Sequence, residues 1–401
     1  MKKRVLCLIL SAAMAAFTLT GCASGAAPAA SSDAGESSES AGGDVFKIGG
    51  IGPTTGAAAI YGSDVRDAIQ IAVDEINADG GINGFKIEYK FEDDEHNAEK
   101  AVNAYNTLKD WGMQILVGTV TSAPCIAVSE KTKEDNMFQL TPSGTAVNCV
   151  QYDNAFRVCF SDPNQGSASA DYIAGNADLK DSKIAIIYDS SIEYSTGIHD
   201  SFVARAGELS LDIVSDTSFT TDSNTDFTVQ LQSSKDAGAD LLFLPIYYQE
   251  ASLILQQADS MGYAPVFYGV DGMDGILGVE NFDTSLAEGV YLLTPFSANA
   301  EDELTVNFVK KFQDMTGHIP NQFGADAYDA LYAVKAVCEA QNVTPSMSVS
   351  VICEAMKKGM TEIELSNVLT SPASISWTAE GEPNKEPRAV IIENGEYVLA
   401  E

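Results

Sequence analysis

The sequence predicts an α/β fold made of two doubly wound parallel-sheet lobes. Apolar segments of strand length alternate with segments of helical spacing in two successive series, one before and one after Asp162-Pro163. This alternation is typical of parallel sheets covered by helices on both faces. The chain continues for more than 350 residues after Val45, which is too long for one ordinary core. Two lobes are therefore expected.

The first series begins with an apolar strand at 46–51. Val65, Ile69 and Ile76 then recur at helical spacing, and Gly80-Gly81 provides a stop because a left-handed C-terminal cap favours glycine. The other predicted elements of this series are strands at 86–91, 114–117 and 137–141 and helices at 101–108 and 123–134.

The second series follows the same pattern. Its predicted strands are 183–188, 211–219, 240–245 and 265–268, and its predicted helices are 193–208, 226–237 and 249–261. Residues 301–356 are predicted to be mainly helical, with 325–340 the clearest helix. Asn394-Gly395 predicts the turn of a hairpin between strands at 391–393 and 397–399.

The N-terminus has the pattern of an export signal. Three basic residues (Lys2, Lys3 and Arg4) precede an apolar run at 5–17 that is too short to span a bilayer. Leu19-Thr20-Gly21-Cys22 resembles the lipobox of bacterial lipoproteins, which implies cleavage after residue 21 and acylation of the Cys22 sulfur, for example by palmitate. The alternative is an ordinary secretory peptide with a chance cysteine. Residues 22–43 are predicted to be a disordered tether, because they can bury little apolar surface.

The charge balance restricts the partners. The chain has a formal net charge of −34. Removal of the predicted signal takes away three basic residues and makes the net charge more negative by three. Such a body is repelled by nucleic acid and by anionic lipid headgroups, and it is a poor trap for anionic ligands. No nucleic-acid partner is expected, and a solvated acidic surface accounts for most of the charge.

Five cysteines follow the predicted anchor, and no two have Cys-x-x-Cys spacing, so the pattern does not indicate a zinc or redox site. Cys149 with Cys159, and Cys338 with Cys353, are candidates for disulfides outside the cytoplasm. The alternative is that these cysteines are small buried apolar residues.

The motifs give no support for catalysis, a cofactor or a metal. The glycines of 50–56 are spaced unlike a dinucleotide-binding turn, and Pro53 removes an amide that a phosphate would need. The three histidines form no His-x-x-x-His pattern, and no nucleophile elbow or phosphate loop is present. The acidic run at 92–95 is either a solvated strand end or a calcium site. We therefore predict no enzymatic activity, no cofactor and no metal.

Several segments together resemble the leucine/isoleucine/valine-binding proteins of bacterial uptake systems. These segments are 47–56, 59–62, 74–84, 117–118, 140–142, 156–157 and 323–330, and DEINADGGING at 74–84 is the most specific of them. The resemblance runs from about residue 45 to 398. It implies the type I periplasmic binding protein fold, in which three crossovers make each lobe discontinuous. The implied lobes are 44–161 with 295–387, and 162–294 with 388–401.

The resemblance also implies a ligand site between the lobes. Ser122 matches a hydroxyl at a helix start that meets the ligand carboxylate, and Ser143, Gly144 and Thr145 match a loop that adds backbone and hydroxyl contacts. A helix N-terminus suits a carboxylate because of its free amides and partial positive charge. The alternative for Ser122 is a plain helix N-cap.

The other implied contacts come from both lobes. Asp271 stands where the family has an acid for the ligand ammonium, and its alternative is a turn aspartate. The family's second-lobe tyrosines correspond to Tyr194 and Tyr247, and its side-chain pocket corresponds to Tyr61, Val120 and Phe323; each could instead be ordinary packing. Thr121 stands where some members have a cysteine, and His96 lies near the partner position, so that bridge is not expected.

The implied function is that of an extracytoplasmic, lipid-anchored binding protein. It would act as a monomer, capture an amino acid with a branched-chain or other apolar side chain, and deliver it to an ABC permease in the membrane. The resemblance leaves open an amide, urea or aromatic acid as ligand, and a sensor role for a signalling receptor. A third hypothesis is that the protein is a nucleotide-dependent enzyme.

Overall fold

The structure, a computed structural model, describes residues 45–400. The predicted signal peptide, the tether and the acylation site at Cys22 lie outside the described residues. Among the helices of the described range, none combines the length and the apolar character that crossing a bilayer requires.

The first sheet contains five parallel strands in the order β2-β1-β3-β4-β5. Its central strands are almost wholly buried, as expected where helices cover both faces. The strands are β1 (Val45–Gly52), β2 (Lys86–Asp93), β3 (Ile115–Gly118), β4 (Phe138–Thr141) and β5 (Ala155–Arg157). Between them lie α1 (Ala59–Ala78), α2 (Ala98–Trp111) and α3 (Ser122–Asp135).

The chain then builds the parallel part of a second sheet. The strands are β6 (Lys183–Asp189), β7 (Asp212–Phe219), β8 (Leu241–Leu244), β9 (Val266–Gly269) and β10 (Tyr291–Leu293). The helices are α4 (Asp162–Gly175), α5 (Glu193–Leu209), α6 (Thr228–Asp236) and α7 (Tyr248–Ser260). All four residues of β8 are buried, which explains its uninterrupted apolar sequence.

Three later helices return to the first sheet. They are α8 (Glu303–Thr316), α9 (Gln322–Ala340) and α10 (Val349–Met360), and α9 packs along α1. A small antiparallel pair follows, β11 (Glu364–Leu365) with β12 (Ile375–Ser376). The hairpin β13 (Ala389–Glu393) and β14 (Glu396–Leu399) then joins the second sheet, whose order is β14-β13-β10-β9-β8-β6-β7. The chain thus passes between the sheets three times: after β5, after β10 and before β13.

The predicted α/β class with two sheets is confirmed, and all the predicted strands and helices are present with bounds shifted by a few residues. The sequence did not predict α4, β5, β10 or the short pair β11 and β12. Helix α4 has few large apolar residues because it packs closely against α5; a Cβ at Gly166 would lie 2.4 Å from the Ile198 carbonyl oxygen. Such a helix has no apolar stripe to recognise.

The five cysteines are small buried residues and not disulfide partners. Cys125, Cys149, Cys159, Cys338 and Cys353 are all free thiols and all buried. Neither of the two candidate disulfides is formed.

The acidic run at 92–95 differs from a solvated strand end. Asp94 is fully buried, and its Oδ1 accepts a hydrogen bond from the His96 backbone N–H at 2.8 Å. Burial raises the pKa of Asp94 to about 7. Within residues 45–400, no group of three or more His, Cys, Asp and Glu side chains is placed to hold a metal ion.

Candidate functional site

A cavity lies where loops from both sheets meet at the carboxyl ends of their strands. Loops after β3 and β4 approach it from the first sheet, and loops after β6, β8 and β9 approach it from the second. Ligand sites of doubly wound proteins form at this edge. The residues that line this central cavity are Tyr61, Val120, Thr121, Ser122, Ser143, Thr145, Tyr194, Tyr247, Asp271 and Phe323.

Nine of these residues are among those predicted from the sequence. Gly144, the remaining predicted residue, does not line the cavity but belongs to the same loop as Ser143 and Thr145. Thr121 lines it although no ligand contact was predicted for it, and its hydroxyl lies 2.9 Å from His96 Nδ1.

Ser122 is the first residue of α3, and the N-cap position is taken by Thr121. The Ser122 hydroxyl accepts a hydrogen bond from the Ala146 N–H at 3.2 Å and lies 3.5 Å from Thr145 Oγ1. It therefore ties the helix start to the 143–147 loop and does not cap its own helix. The Ser122 and Ala123 amides have no acceptor within α3 and are available to a negatively charged group, whereas Pro124 has no N–H and the Cys125 N–H bonds to the Thr121 carbonyl oxygen.

Arg157, on the last position of β5, holds the 143–147 loop from behind. Its side chain is fully buried, and its guanidinium donates to the carbonyl oxygens of Gly144 (2.9 Å), Thr145 and Ala146 (3.0 Å). Its Nε pairs with Glu382 at 3.2 Å. Arg157 thus fixes the loop that presents Ser143 and Thr145 without lining the cavity itself. The sequence contained it in the Phe156-Arg157 match, but gave no sign of this role.

Asp271 supplies the carboxylate on the opposite side. It begins a short 3-10 turn after β9, and only 2% of its surface is exposed. Its Oδ1 accepts a hydrogen bond from the Tyr194 hydroxyl at 2.6 Å, and its backbone N–H donates to Gln165 Oε1 at 3.0 Å. Burial raises its pKa to about 6, although the hydrogen bond from Tyr194 opposes that rise. The role of Gln165 was missed because it lies on the unpredicted helix α4.

Aromatic rings form the remaining wall. The rings of Tyr194 and Tyr247 are stacked 4.5 Å apart, and Tyr61 packs against Phe323 at 4.4 Å and against Tyr247 at 5.7 Å. The Tyr61 hydroxyl donates to the Gly272 carbonyl oxygen and so links the start of α1 to the loop after β9.

The central cavity is small and its two sheets contribute chemically different groups. It encloses about 10 Å³, roughly enough for one water molecule. The first sheet contributes hydroxyl groups and a helix N-terminus, and the second contributes the Asp271 carboxylate. No Lys, Arg or His is found among the described residues that line it.

Comparison with known proteins agrees with this geometry. The family model described as "Periplasmic binding protein" matches residues 45–387. The Leu/Ile/Val-binding protein homolog 3 of Brucella melitensis is 32% identical over 228 residues, 56% of this chain and 61% of that protein. The match therefore spans about three-fifths of that relative. The Leu/Ile/Val-binding protein homolog 2 of Brucella abortus is 28% identical over 362 residues, 87% of this chain and 91% of that protein.

A solved structure shows the same architecture. The substrate-binding protein LivJ of a branched-chain amino acid transporter from Streptococcus pneumoniae, in complex with isoleucine, superposes with a TM-score of 0.80. The two chains are 26% identical, and the alignment covers 89% of this chain and 99% of LivJ.

Proposed function

Because this chain belongs to the periplasmic binding protein family, as its sequence predicted, we propose that it captures an amino acid with an apolar side chain in the central cavity. The observation that carries the proposal is that Ser122, from the first sheet, and Asp271, from the second, line one cavity. An α-amino acid has a carboxylate for the donor end and an ammonium for Asp271.

The donor end suits a carboxylate without any basic side chain. The α3 N-terminus provides amides and partial positive charge, and the hydroxyls of Ser122, Ser143 and Thr145 add donors. The acceptor end suits an ammonium because Asp271 is buried and pre-oriented by Tyr194. A simple carboxylic acid or amide would leave the Asp271 carboxylate unpaired, which is costly in a buried site.

The aromatic wall selects the side chain of the ligand. Tyr61, Phe323 and Val120 present ring and methyl surface, and the wall offers no counter-charge for an acidic side chain. Leucine, isoleucine, valine and phenylalanine are therefore the ligands that it favours.

Binding and release require the two sheets to separate. About 10 Å³ is far too small for an amino acid, and residues from both sheets line the cavity. Tyr61 bonds directly across it to Gly272. We infer hinge motion at the three passages of the chain, with closure stabilised because the ligand touches both sides only in the closed form.

The family implies a location outside the cytoplasm. We propose that acylated Cys22 anchors the protein, that the body acts as a monomer, and that it delivers its ligand to an ABC permease. Binding without catalysis is the role that these residues support. A sensor would use the same site, and neighbouring permease and ATPase genes would favour transport.

Thermal unfolding of the chain from Asp44 onward tests the ligand class. The protein is unfolded and refolded to remove carried-over ligand, then screened against amino acids. Ligand at 100 times its dissociation constant should add about 2.7 kcal/mol to the free energy of unfolding. We expect a shift with leucine, isoleucine, valine or phenylalanine that is lost in Asp271→Asn. It should be retained in Asp259→Asn, which alters an exposed aspartate on α7.

Two leucine analogues separate the ends of the site. 4-Methylpentanoate lacks the ammonium and 3-methylbutylamine lacks the carboxylate, so both should bind at least tenfold more weakly than leucine. Stabilisation by benzoate, urea or an amide, without any amino acid effect, would overturn the amino-acid proposal and the role of Asp271.

A further inference from the structure

A second and much larger cavity adjoins the central one. It has a volume of about 580 Å³, within the range of small-molecule sites. Its walls come from the start of α1, the loop after the Asp271 turn, the chain leaving β10, the segment before α9 and the β13–β14 turn. It thus lies between elements of both sheets, beside one of the passages that join them.

Most of the exposed surface of its lining is apolar, and three of its polar residues are acidic: Asp64, Asp274 and Glu396. Asp64 is 1% exposed and Asp274 is 4% exposed. Glu396 lies at the rim, and neither Lys nor Arg occurs among the described residues that line the cavity. His318 is the single basic group there, and its Nε2 lies 2.8 Å from Asp64 Oδ1, which is the reason its pKa is raised.

The two buried aspartates differ in their partners. Asp64 has both oxygens occupied, by His318 and by the Asn321 N–H at 3.0 Å. Asp274 Oδ2 accepts from the Gln322 N–H at 2.8 Å. Its Oδ1 has no hydrogen-bond partner within the described residues, although the Tyr397 hydroxyl lies near this carboxyl. A buried carboxylate oxygen without a donor needs a partner, and a ligand in the adjoining cavity can supply one.

We propose that this second cavity binds a small organic ammonium ion, with Asp274 as the counter-ion and Ile60, Leu277 and Phe296 covering its hydrocarbon part. A cation is favoured because the carboxylates outnumber the single histidine, which Asp64 already neutralises. An apolar body is favoured by the walls, and Phe296 and Tyr397 add aromatic rings, a residue class that attracts cations.

The same structural elements contribute residues to the second cavity and to the central one. Asp271 and Asp274 are the two ends of one 3-10 turn, with the Asp274 N–H donating to the Asp271 carbonyl oxygen at 2.9 Å. Gln322 donates to the Asp274 carboxylate through its backbone N–H. On the other side, Ile60 lines the second cavity and Tyr61 the first. A ligand held by Asp274 should therefore favour the arrangement in which the sheets are closed.

Calorimetric titration of the purified full chain tests the proposal with benzylamine as the probe. Benzyl alcohol has the same ring and size but no charge. We expect benzylamine to bind and benzyl alcohol to bind at least tenfold more weakly. Equal binding of the two, or no benzylamine binding, would overturn the role of Asp274 as counter-ion.

Variants locate the site. Asp274→Asn should weaken benzylamine binding at least tenfold, whereas Asp259→Asn should leave it unchanged. If Asp274→Asn fails to fold, Gly278→Leu replaces it. Gly278 lines the second cavity, and a Cβ there meets only Ile60, at an ordinary 3.6 Å, so the backbone has room for a side chain at this wall. Benzylamine binding that survives in a folded variant of either kind contradicts the proposal.

Asp271→Asn separates this proposal from the amino-acid site. Benzylamine should still bind to that variant while leucine does not. If Asp271→Asn abolishes benzylamine binding and Asp274→Asn does not, the amine occupies the central cavity and the second site is refuted. Loss of leucine binding alone has no bearing on the second cavity.

Discussion

The Tyr194 hydroxyl donates a hydrogen bond of 2.6 Å to Oδ1 of Asp271, and the Gly272 N–H donates to that same hydroxyl at 2.9 Å. The pair joins the start of α5 to the turn after β9, 77 residues later in the chain. Tyr194 is itself fixed by stacking on Tyr247. The carboxylate is therefore held in one orientation beside the central cavity that it lines.

Asp271→Asn should stabilise the ligand-free protein while weakening amino-acid binding at least a hundredfold. Burial raises the pKa of Asp271 to about 6, so ionisation of its carboxyl lowers the stability of the fold progressively as the pH rises from about 4, and fully above about 6. A neutral amide should raise the free energy of unfolding by up to about 3 kcal/mol at pH 7.5. The gain should vanish near pH 4, where the wild-type carboxyl is protonated in the folded state. Denaturant unfolding at both pH values measures it, and a destabilised variant at pH 7.5 would contradict it.

Leucine affinity should fall as the pH drops below about 6. Protonated Asp271 cannot pair with an ammonium, and the ligand ammonium keeps its charge in this range. Well below pH 6, leucine affinity should fall at most tenfold for each pH unit. Titrations between pH 4.5 and 7.5 should show this slope in the wild type, whereas Asp271→Asn should show weak binding with a flat profile. A wild-type affinity that does not change with pH would mean that Asp271 does not meet the ammonium.

Arg157→Met should destabilise the protein by roughly 3–5 kcal/mol and weaken leucine binding. The change leaves the loop carbonyl oxygens without their buried donor and the half-buried Glu382 without its counter-charge. Arg205→Met is the matched control, because Arg205 pairs with Asp171 and Glu208 at the surface, where ion pairs contribute little to stability. Similar losses for the two arginines would refute the role assigned to Arg157.

Lys385→Met should cost roughly 3–5 kcal/mol of stability. The Lys385 ammonium pairs with the Asp326 carboxylate and contacts Thr370, and both ionic side chains are almost fully buried. Removing it leaves Asp326 charged and unpaired close to the third passage between the sheets. Lys310→Met removes an exposed pair with Asp314 and should change stability by less than about 1 kcal/mol. Denaturant unfolding of the two variants provides the comparison.

Thiol titration should find five free cysteines, all protected in the native state. None of the five is bridged, and each is buried. With the chain from Asp44 onward, a thiol reagent should react slowly before unfolding and modify five sulfurs in denaturant without reductant. A count of three or fewer would show a disulfide that this structure lacks.

Local sequence determined the element types and, through the family resemblance, most of the central cavity. A short stretch is enough to show which faces of an element are buried. Helix α1 shows it through the spacing of Val65, Ile69 and Ile76, and β8 through its apolar run. Asp271 and Ser122 were found because the family's motifs carry their positions. Helix α4 escaped because its pattern has meaning only against α5.

Tertiary structure alone decided which distant groups meet. The Tyr61 hydroxyl contacts Gly272, 211 residues away, and Arg157 reaches back to the loop that presents Ser143 and Thr145. The unpartnered oxygen of Asp274 and the cavity beside it depend on five separate segments. The physical reason is that helix and strand preferences act over a few residues. Burial, pKa and hydrogen-bond partners, by contrast, are set by whichever remote segments the fold packs together.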